Sequence, residues 1–459
     1  MSFQFQSGVL PDDRLDVAAP PRIVFAVYQV LWHFLLPLAC MRLIWRARHS
    51  MQYLHYFPER LGFSSRRAFA QGAVWIHAVS VGETRAAQPL IQAYLGRGES
   101  ILLTHMTLNG RRTGKQLFSQ EIAAGKIRQV YLPYDLWWAV ERFLNTFKPR
   151  FGLLMETEAW PTIVFRCANR GLPLFLVNAR LSERSARRVN RFGKAGRALF
   201  QAFRGILAQT PLDAERYRRL GVKCVEIVGN LKFDVPLDPN LVHLGTVWRD
   251  TNHREGRLMV CAASTRDGEE LIILKAWKDL LLANAFQTAP LLCLVPRHPE
   301  RFSEVAEYIR STGLTFRQRS EWEGVPDNTA AIEVVLGDSM GEMPLYYSAA
   351  DLVVMGGSLL PFGGQNLIEA CAAGCPVLLG EHTYNFQQAA LDAIDAGAAK
   401  RLAGELILGE PAALTKALQA MLLNTAELAV MADAAKRYSG AYQGATRRIV
   451  AALDVALAA

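Results

Sequence analysis

Glu83 stands in the stretch AVSVGETRAAQPL (residues 78–90), where an apolar, strand-like run ends and a helical pattern begins. Ser80 and Glu83 have capping-box spacing, so the pair can close a helix N-terminus reciprocally. A carboxylate at a strand end is equally placed to act as a general base on a hydroxyl. The helix N-terminus is expected to favour its ionised form. METEAWP (residues 155–161) puts Glu156 and Glu158 after a second strand, on opposite faces, so that only one is expected to face the site. That arrangement excludes a paired-carboxylate glycosidase set. GNLKFD (residues 229–234) places Lys232 beside a glycine at the end of a further strand, a cation suited to an anion.

The second half of the chain carries residues suited to a nucleotide. In GGSLLPFGGQNLIEA (residues 356–370), paired glycines let backbone N–H groups approach an anion, and a helix is expected to start near Asn366. Glu369, one turn in, is placed to accept hydrogen bonds from ribose hydroxyls. The stretch is neither Gly-x-Gly-x-x-Gly nor a Walker A loop, so neither NAD nor ATP chemistry is indicated. VPRHPERF (residues 295–302) sets Arg297 after a strand, where a guanidinium can make bidentate contact with phosphate. GDSMGEM (residues 337–343) lets Met340, Gly341 and Glu342 present backbone to a nucleobase. His77, within the strand before Ser80, reads as a core-edge histidine, and His298 as a hydrogen-bonded structural one.

The elements that position these residues follow from patterning. From residue 73 short apolar runs alternate with helical stretches, the signature of α/β folding with parallel sheets. Most of the polar residues singled out follow strands, where ligands of doubly wound sheets sit. The 459 residues suit two domains. The divisions expected are a tail with an apolar helix (1–48), a first Rossmann-like domain (49–235), a linker (236–256) with Pro236 and Pro239, and a second Rossmann-like domain (257–459) whose final helices can pack back on the first. The fold class is then α/β, two doubly wound domains facing a cleft.

Residues 23–41, IVFAVYQVLWHFLLPLACM, hold no charge and as a helix would be about 28 Å long, one hydrocarbon thickness. Gln29, His33 and Pro37 fall on one stripe, which also permits a helix lying against protein or in a membrane interface. No cleavage site of a secretory signal is evident. Arg14 and Arg22 precede the run among Asp12, Asp13 and Asp16, and Arg42, Arg46 and Arg48 follow it, a bias that places the globule in the cytoplasm. Between Arg180 and Arg204 stand eight Lys or Arg and one acid, Glu183: a solvated helix face, or a dock for phosphorylated lipid. The net charge of +9 suits anionic partners, with no signature of nucleic-acid binding. The seven cysteines show no Cys-x-x-Cys, and Cys261, Cys293, Cys371 and Cys375 lie in apolar contexts, as buried reduced thiols do.

Taken together the chain resembles the 3-deoxy-D-manno-octulosonic acid (Kdo) transferases. The resemblance is carried, in order, by WIHAVSVGET (75–84), LLMETEAWP (153–161), NARLSERSA (178–186), GNLKFD, LVPRHPERF (294–302), GDSMGEM and GGSLLPFGGQNLIEA. It runs from about residue 20 to past 390. It implies a GT-B glycosyltransferase anchored by its N-terminal helix at the cytoplasmic face of the inner membrane, inverting at the anomeric carbon and needing neither metal nor cofactor. The donor it implies is CMP-Kdo. The implied acceptor is lipid IVA, the tetraacylated disaccharide bisphosphate precursor of lipid A, and the partner surface is an anionic membrane. In this resemblance Glu83 matches the catalytic base, and Glu156 and Lys232 match positions of transition-state stabilisation. Pro296, Arg297, Met340, Gly341, Glu342, Asn366, Leu367, Ile368 and Glu369 match CMP contacts. The family often has His where Gln365 stands, and Leu and Asn where Ala159 and Thr162 stand. A transferase using a UDP-sugar, and a lipid- or nucleotide-binding protein that has lost catalysis, are the other readings. The second would lack the set Glu83, Glu156 and Lys232.

Overall fold

Runs of Val, Ile and Leu bounded by Gly, Ser and Thr form fourteen short strands among the described residues, and the stretches between them form helices capped by Ser80, Thr107, Ser182, Thr210 and Asp238. The structure is a computed structural model, and it describes residues 22–48, 51, 54–64, 69–325, 331–402 and 411–458. Asp12, Asp13, Arg14 and Asp16 lie outside the described residues. The chain divides into two compact units, Met1–Val235 with Gln443–Ala459, and Pro236–Tyr442.

In the first unit β1 (Val74–His77), β2 (Ile101–His105), β3 (Ile127–Tyr131), β4 (Phe151–Met155), β5 (Leu174–Ala179), β6 (Gly205–Ala208) and β7 (Val225–Ile227) form one parallel sheet of order β3-β2-β1-β4-β5-β6-β7. Both faces are covered. Trp75, Leu102 and Leu154 pack with Phe143 and Val164 on one side, and Ile76, Leu103 and Leu153 with Ile91, Ile449 and Leu453 on the other. The last two belong to the helix Ala445–Ala458, which is part of this unit. Asp234 accepts the N–H groups of Gly444 and Thr446 at its start, both at 2.6 Å.

The helix Arg22–Ala47 lies on the first unit along one stripe. Phe25 meets Phe165 edge-on, and Trp32 packs on Tyr134 and Trp160. Gln29 is buried, donating to the Thr162 hydroxyl at 2.6 Å and the Asp135 carbonyl at 3.2 Å while accepting the Trp137 N–H at 3.0 Å. Of the polar stripe, Gln29 therefore faces protein, while His33, beside Trp138, and Pro37 are exposed. Ile23, Val27, Val30, Leu31, Phe34, Leu38 and Met41 remain exposed on the other face. Among the described residues this is the helix long and apolar enough to cross a membrane or serve as an anchor.

In the second unit β8 (Met259–Thr265), β9 (Leu291–Pro296), β10 (Phe316–Gln318), β11 (Val334–Leu336), β12 (Leu352–Met355), β13 (Val377–Leu379) and β14 (Ala399–Arg401) form a parallel sheet of order β10-β11-β9-β8-β12-β13-β14. The segment expected as a linker is a correction. Within residues 236–256 the helix Pro239–Arg254 packs on the helix Met343–Ala349, with Gly245 against the Leu345 carbonyl and Trp248 fully buried. Pro239 does not break this helix because it occupies a first-turn position, where no N–H is needed. Cys261, Cys293, Cys371 and Cys375 are buried free thiols.

Candidate active site

The sheet order of the first unit reverses between β1 and β4, so the loops after these two strands leave in opposite directions and open a crevice at their carboxyl ends. Glu83 follows β1 and Glu156 follows β4. Ser80 caps the helix Val81–Gly96, accepting the Glu83 N–H at 3.4 Å, and its hydroxyl donates to Glu83 Oε1 at 3.0 Å. Glu83 Oε2 reaches past the cap to accept the Val79 N–H at 2.8 Å. The cap is therefore real, yet the carboxyl is not held ionised by it. Burial, with the charges of Glu156 and Glu158, outweighs the Val79 and Ser80 hydrogen bonds and pushes its pKa up to about 7. A carboxyl poised there is matched to proton abstraction near neutral pH.

Strand β4 ends at Met155, and Glu156 takes the left-handed conformation at φ 55°. That turn brings Glu156 Oε1 to 3.2 Å from Lys232 Nζ. Lys232 is carried by the short helix Leu231–Asp234, whose Leu231 N–H donates to Asn178 Oδ1 at 3.0 Å and whose Lys232 N–H donates to Asn230 Oδ1 at 3.0 Å. The expectation that only one of Glu156 and Glu158 faces the site is overturned. Positions i and i+2 share a face in a strand, the strand has ended, and both carboxylates act on Glu83. Burial also raises the pKa of Glu158, against the Trp160 N–H that donates to it at 2.7 Å.

In the second unit the order reverses between β8 and β12. Of the paired glycines expected to offer N–H groups to an anion, Gly357 gives its N–H to the buried carboxylate of Glu269 at 2.6 Å, which also accepts those of Leu359 and Leu360 at 3.0 and 3.2 Å. Sequence reasoning missed Glu269. Its only signal is an acidic pair directly after Gly268, at the head of the helix Glu269–Leu282. Pro296 ends β9, and the Arg297 N–H donates to the Thr265 carbonyl at 3.0 Å. Burial pushes the Tyr347 hydroxyl pKa up, with the Glu369 charge adding to the rise and the Arg297 charge opposing it. Met340 is exposed, Gly341 has φ +88°, and Glu342 Oε1 accepts from Arg319 at 2.8 Å. The helix expected from Asn366 begins at Ile368 and is short. Asn366, two residues before its start, accepts the Ile368 N–H at 3.2 Å and donates to Glu369 Oε1 at 2.9 Å. Leu367 and Ile368 side chains are buried, so only their backbone is available to a ligand. His77 is fully buried, and burial with His105 nearby pushes its pKa down to about 3. His298 Nε2 accepts from the Arg266 guanidinium at 2.8 Å.

Two parallel seven-stranded sheets, each reversing order at the strands that carry the polar loops, are the architecture of the GT-B fold. Solved structures agree at the level of fold. A glycosyltransferase from Rickettsia africae matches with TM-score 0.53 at 11% identity, over 84% of this chain and 98% of its own. A UDP-GlcNAc 2-epimerase from Neisseria meningitidis matches with TM-score 0.54 at 16% identity, over 83% and 99%. Residues 55–235 match the family model for 3-deoxy-D-manno-octulosonic-acid transferase (kdotransferase). The 3-deoxy-D-manno-octulosonic acid transferase of Bordetella pertussis is 43% identical over 93% of this chain and 98% of its own length, and that of Haemophilus influenzae is 37% identical over 74% and 78%. The chain belongs to the Kdo transferase family, and its activity is that of a glycosyltransferase of lipopolysaccharide biosynthesis.

Proposed function

We propose that this protein moves Kdo from CMP-Kdo to lipid IVA with inversion, and that Glu83 is its general base. The observation that carries the reading is the Glu83 carboxyl, aimed by the Val79 N–H and the Ser80 hydroxyl, with its pKa pushed up to about 7, next to the Glu156–Lys232 pair. The acceptor hydroxyl oxygen attacks the anomeric carbon of Kdo while Glu83 takes its proton. The bond from that carbon to the CMP phosphate oxygen breaks, and its electron pair leaves with CMP. A cation near the reacting centre lowers the cost of the charge that develops, which suits Lys232. Pro296, Arg297, Met340, Gly341, Glu342 and residues 366–369 are assigned to CMP, with Leu367 and Ile368 contributing backbone alone. Charge stabilisation is given to side chains and backbone, so the transfer is proposed to need no metal ion. The apolar face of the first helix and the exposed arginines of the helix Glu183–Arg191 are proposed to hold the protein on the anionic cytoplasmic face of the inner membrane.

The test is incubation of the protein with lipid IVA and either CMP-Kdo or UDP-sugars, with and without a chelator, reading product masses. A Kdo-bearing lipid from CMP-Kdo, unaffected by the chelator, is expected. Transfer from a UDP-sugar alone overturns the donor, and loss of transfer on chelation overturns metal independence.

A further inference from the structure

His105, at the end of β2, is fully buried and has no part in the chemistry described above. Its Nδ1 lies 2.8 Å from the Ala78 carbonyl oxygen, and its Nε2 lies 2.8 Å from Gln129 Nε2. Gln129 Nε2 also donates to the Arg111 carbonyl at 2.8 Å. A carbonyl accepts only, so Nδ1 carries the hydrogen and donates to Ala78. Nε2 is then the acceptor for Gln129. The tautomer is fixed from both sides, and the ring has one orientation. Gly114 leaves room for it: a Cβ there would come 3.0 Å from His105 Nε2 and closer still to Gln129.

The Ala78 carbonyl opens the three-residue connection from β1 to the helix Val81–Gly96. The next residue, Val79, turns its N–H to Glu83 Oε2 while its carbonyl accepts from the Thr107 hydroxyl at 2.8 Å. Ser80 turns its hydroxyl to Glu83 Oε1, and its carbonyl accepts from the Thr84 hydroxyl at 2.7 Å. The carbonyls of the connection are thus held from behind by His105, Thr107 and Thr84, and the Val79 N–H and the Ser80 hydroxyl point forward to the carboxyl.

We propose that His105 is a positioning residue for Glu83: the ordered chain Gln129 to His105 to the Ala78 carbonyl fixes the peptide plane that aims the Val79 N–H at the carboxyl. The proposal rests on the reading of Glu83 as the base. Around His105 the ionisable neighbours are His77 on β1 and Arg111 on the helix Leu108–Leu117, with Thr84 facing it from the helix Val81–Gly96. Burial and Arg111 push the His105 pKa down to about 4, so the ring is neutral throughout the working range and acts by geometry. Around Glu83 the charges are Glu156 and Glu158, from the loop after β4. Neither is touched by a change at His105.

The test uses the full-length protein with CMP-Kdo and lipid IVA. His105→Leu keeps the bulk and loses the donor. Turnover is expected to fall about tenfold, as when a hydrogen bond to a charged group is loosened, with KM for CMP-Kdo unchanged. The acid limb of the pH–rate profile is expected to move up by roughly half a unit to one unit, because the Val79 N–H favours the charged carboxylate. His105→Asn, whose amide N–H replaces Nδ1–H, restores both. Gln129→Leu, on the partly exposed side of the chain, shifts the limb in the same direction and decides the matter where His105→Leu does not fold. In a Glu83→Gln background His105→Leu has no further effect on turnover. An unmoved limb in His105→Leu and Gln129→Leu, with Glu83→Gln inactive, overturns the positioning role and leaves the base reading standing. Near-normal turnover of Glu83→Gln overturns the base reading itself.

Discussion

Lys232 Nζ stands 3.2 Å from Glu156 Oε1, and each side chain is about one-fifth exposed, at 22% and 16%. The pair exists because Glu156 adopts φ 55° where its strand stops and because Asn178 and Asn230 hold the short helix that carries Lys232. A left-handed non-glycine residue at a strand end is a strained feature of the kind that clusters at functional sites. It places a carboxylate and an ammonium together beside Glu83.

Lys232→Met should fold and lose most turnover. Partly exposed pairs contribute about 1 kcal/mol or less to stability. Removing one charge-stabilising group from a reaction centre costs roughly 10²–10³-fold in rate. Thermal melting and turnover numbers check both parts, and turnover within threefold of the parent protein would remove Lys232 from the reaction.

Glu156→Gln should move the acid limb of the pH–rate profile downward. The Glu156 charge raises the pKa of Glu83, so its removal lets Glu83 ionise at lower pH. Glu158→Gln should act in the same direction and less, since its charge is the smaller influence. Rates measured from pH 5 to 9 separate this shift from any loss in the plateau. A limb that moves upward in either variant contradicts the assignment of that limb to Glu83.

Glu83→Gln should be inactive and, at pH 8, more stable than the parent. The folded-state pKa is raised from 4.5 to about 7, so the folded protein binds this proton more tightly than the unfolded chain. The resulting stability is fully present below about pH 4.5 and is lost as pH rises through 7, a penalty on the order of 3 kcal/mol above that. Gln keeps an acceptor for the Val79 N–H and carries no charge, so its advantage should vanish on acidification. General-base loss costs about 10²–10⁴-fold in rate. Denaturant titrations at pH 5 and pH 8 check the sign. A variant destabilised equally at both would show that Glu83 acts as a cap alone.

Most of strands β1–β9 and β11–β13 were legible as short runs of branched apolar residues ended by polar ones and buried on both sheet faces, and the edge strands β3 and β7, which hold Arg128, Gln129 and Glu226, by the apolar residues around them. The three-residue edge strands β10 (Phe316–Gln318) and β14 (Ala399–Arg401) were not, since an edge strand needs no apolar run and theirs hold Arg, Gln and Lys. Position along the chain pointed to Glu83, Glu156 and Lys232. Nothing in it showed that Glu156 would pair with Lys232, which depends on one left-handed residue, or that Glu269 would fill the amides of the glycine-rich loop from a distant helix. His105 was equally silent, because a histidine inside a strand reads as core until its partners Ala78 and Gln129 are known.

Arg297→Ala and Glu369→Ala should each weaken CMP binding about tenfold or more, the size of one charge-assisted hydrogen bond. If both contact one bound CMP, the double change should be non-additive. Lipid-acceptor affinity should stay nearly constant. Calorimetry with CMP on both single variants and the double variant decides it. Unchanged CMP affinity in both singles would refute the assignment.

The first helix and the basic helix Glu183–Arg191 should act on membranes through different forces. Tyr28, Gln29 and Trp32 are committed to Asp135, Thr162, Trp137 and Tyr134, so only the face with Leu31, Phe34 and Leu38 is open to lipid. Leu31, Phe34 and Leu38 changed together to Ser should reduce binding to neutral and anionic vesicles alike, with melting unchanged. Gln29→Leu should instead lower stability by roughly 1–3 kcal/mol, by removing the acceptor of the Trp137 N–H and the donor to the Thr162 hydroxyl and the Asp135 carbonyl. On the basic helix Arg187, Arg188 and Arg191 are exposed, and Glu183 is shared among Arg187, Arg216 and Arg219, so several positive charges face solvent. Each contributes about 1 kcal/mol toward an anionic surface, screened over about 8 Å at physiological salt. Arg187, Arg188 and Arg191 changed to Ser should therefore lose the salt-sensitive part of binding to anionic vesicles, raise KM for the lipid acceptor, and leave CMP affinity alone. Cosedimentation across a salt series reads each part separately. If the arginine variant keeps its salt-sensitive binding, the helix is a solvated face and takes no part in docking.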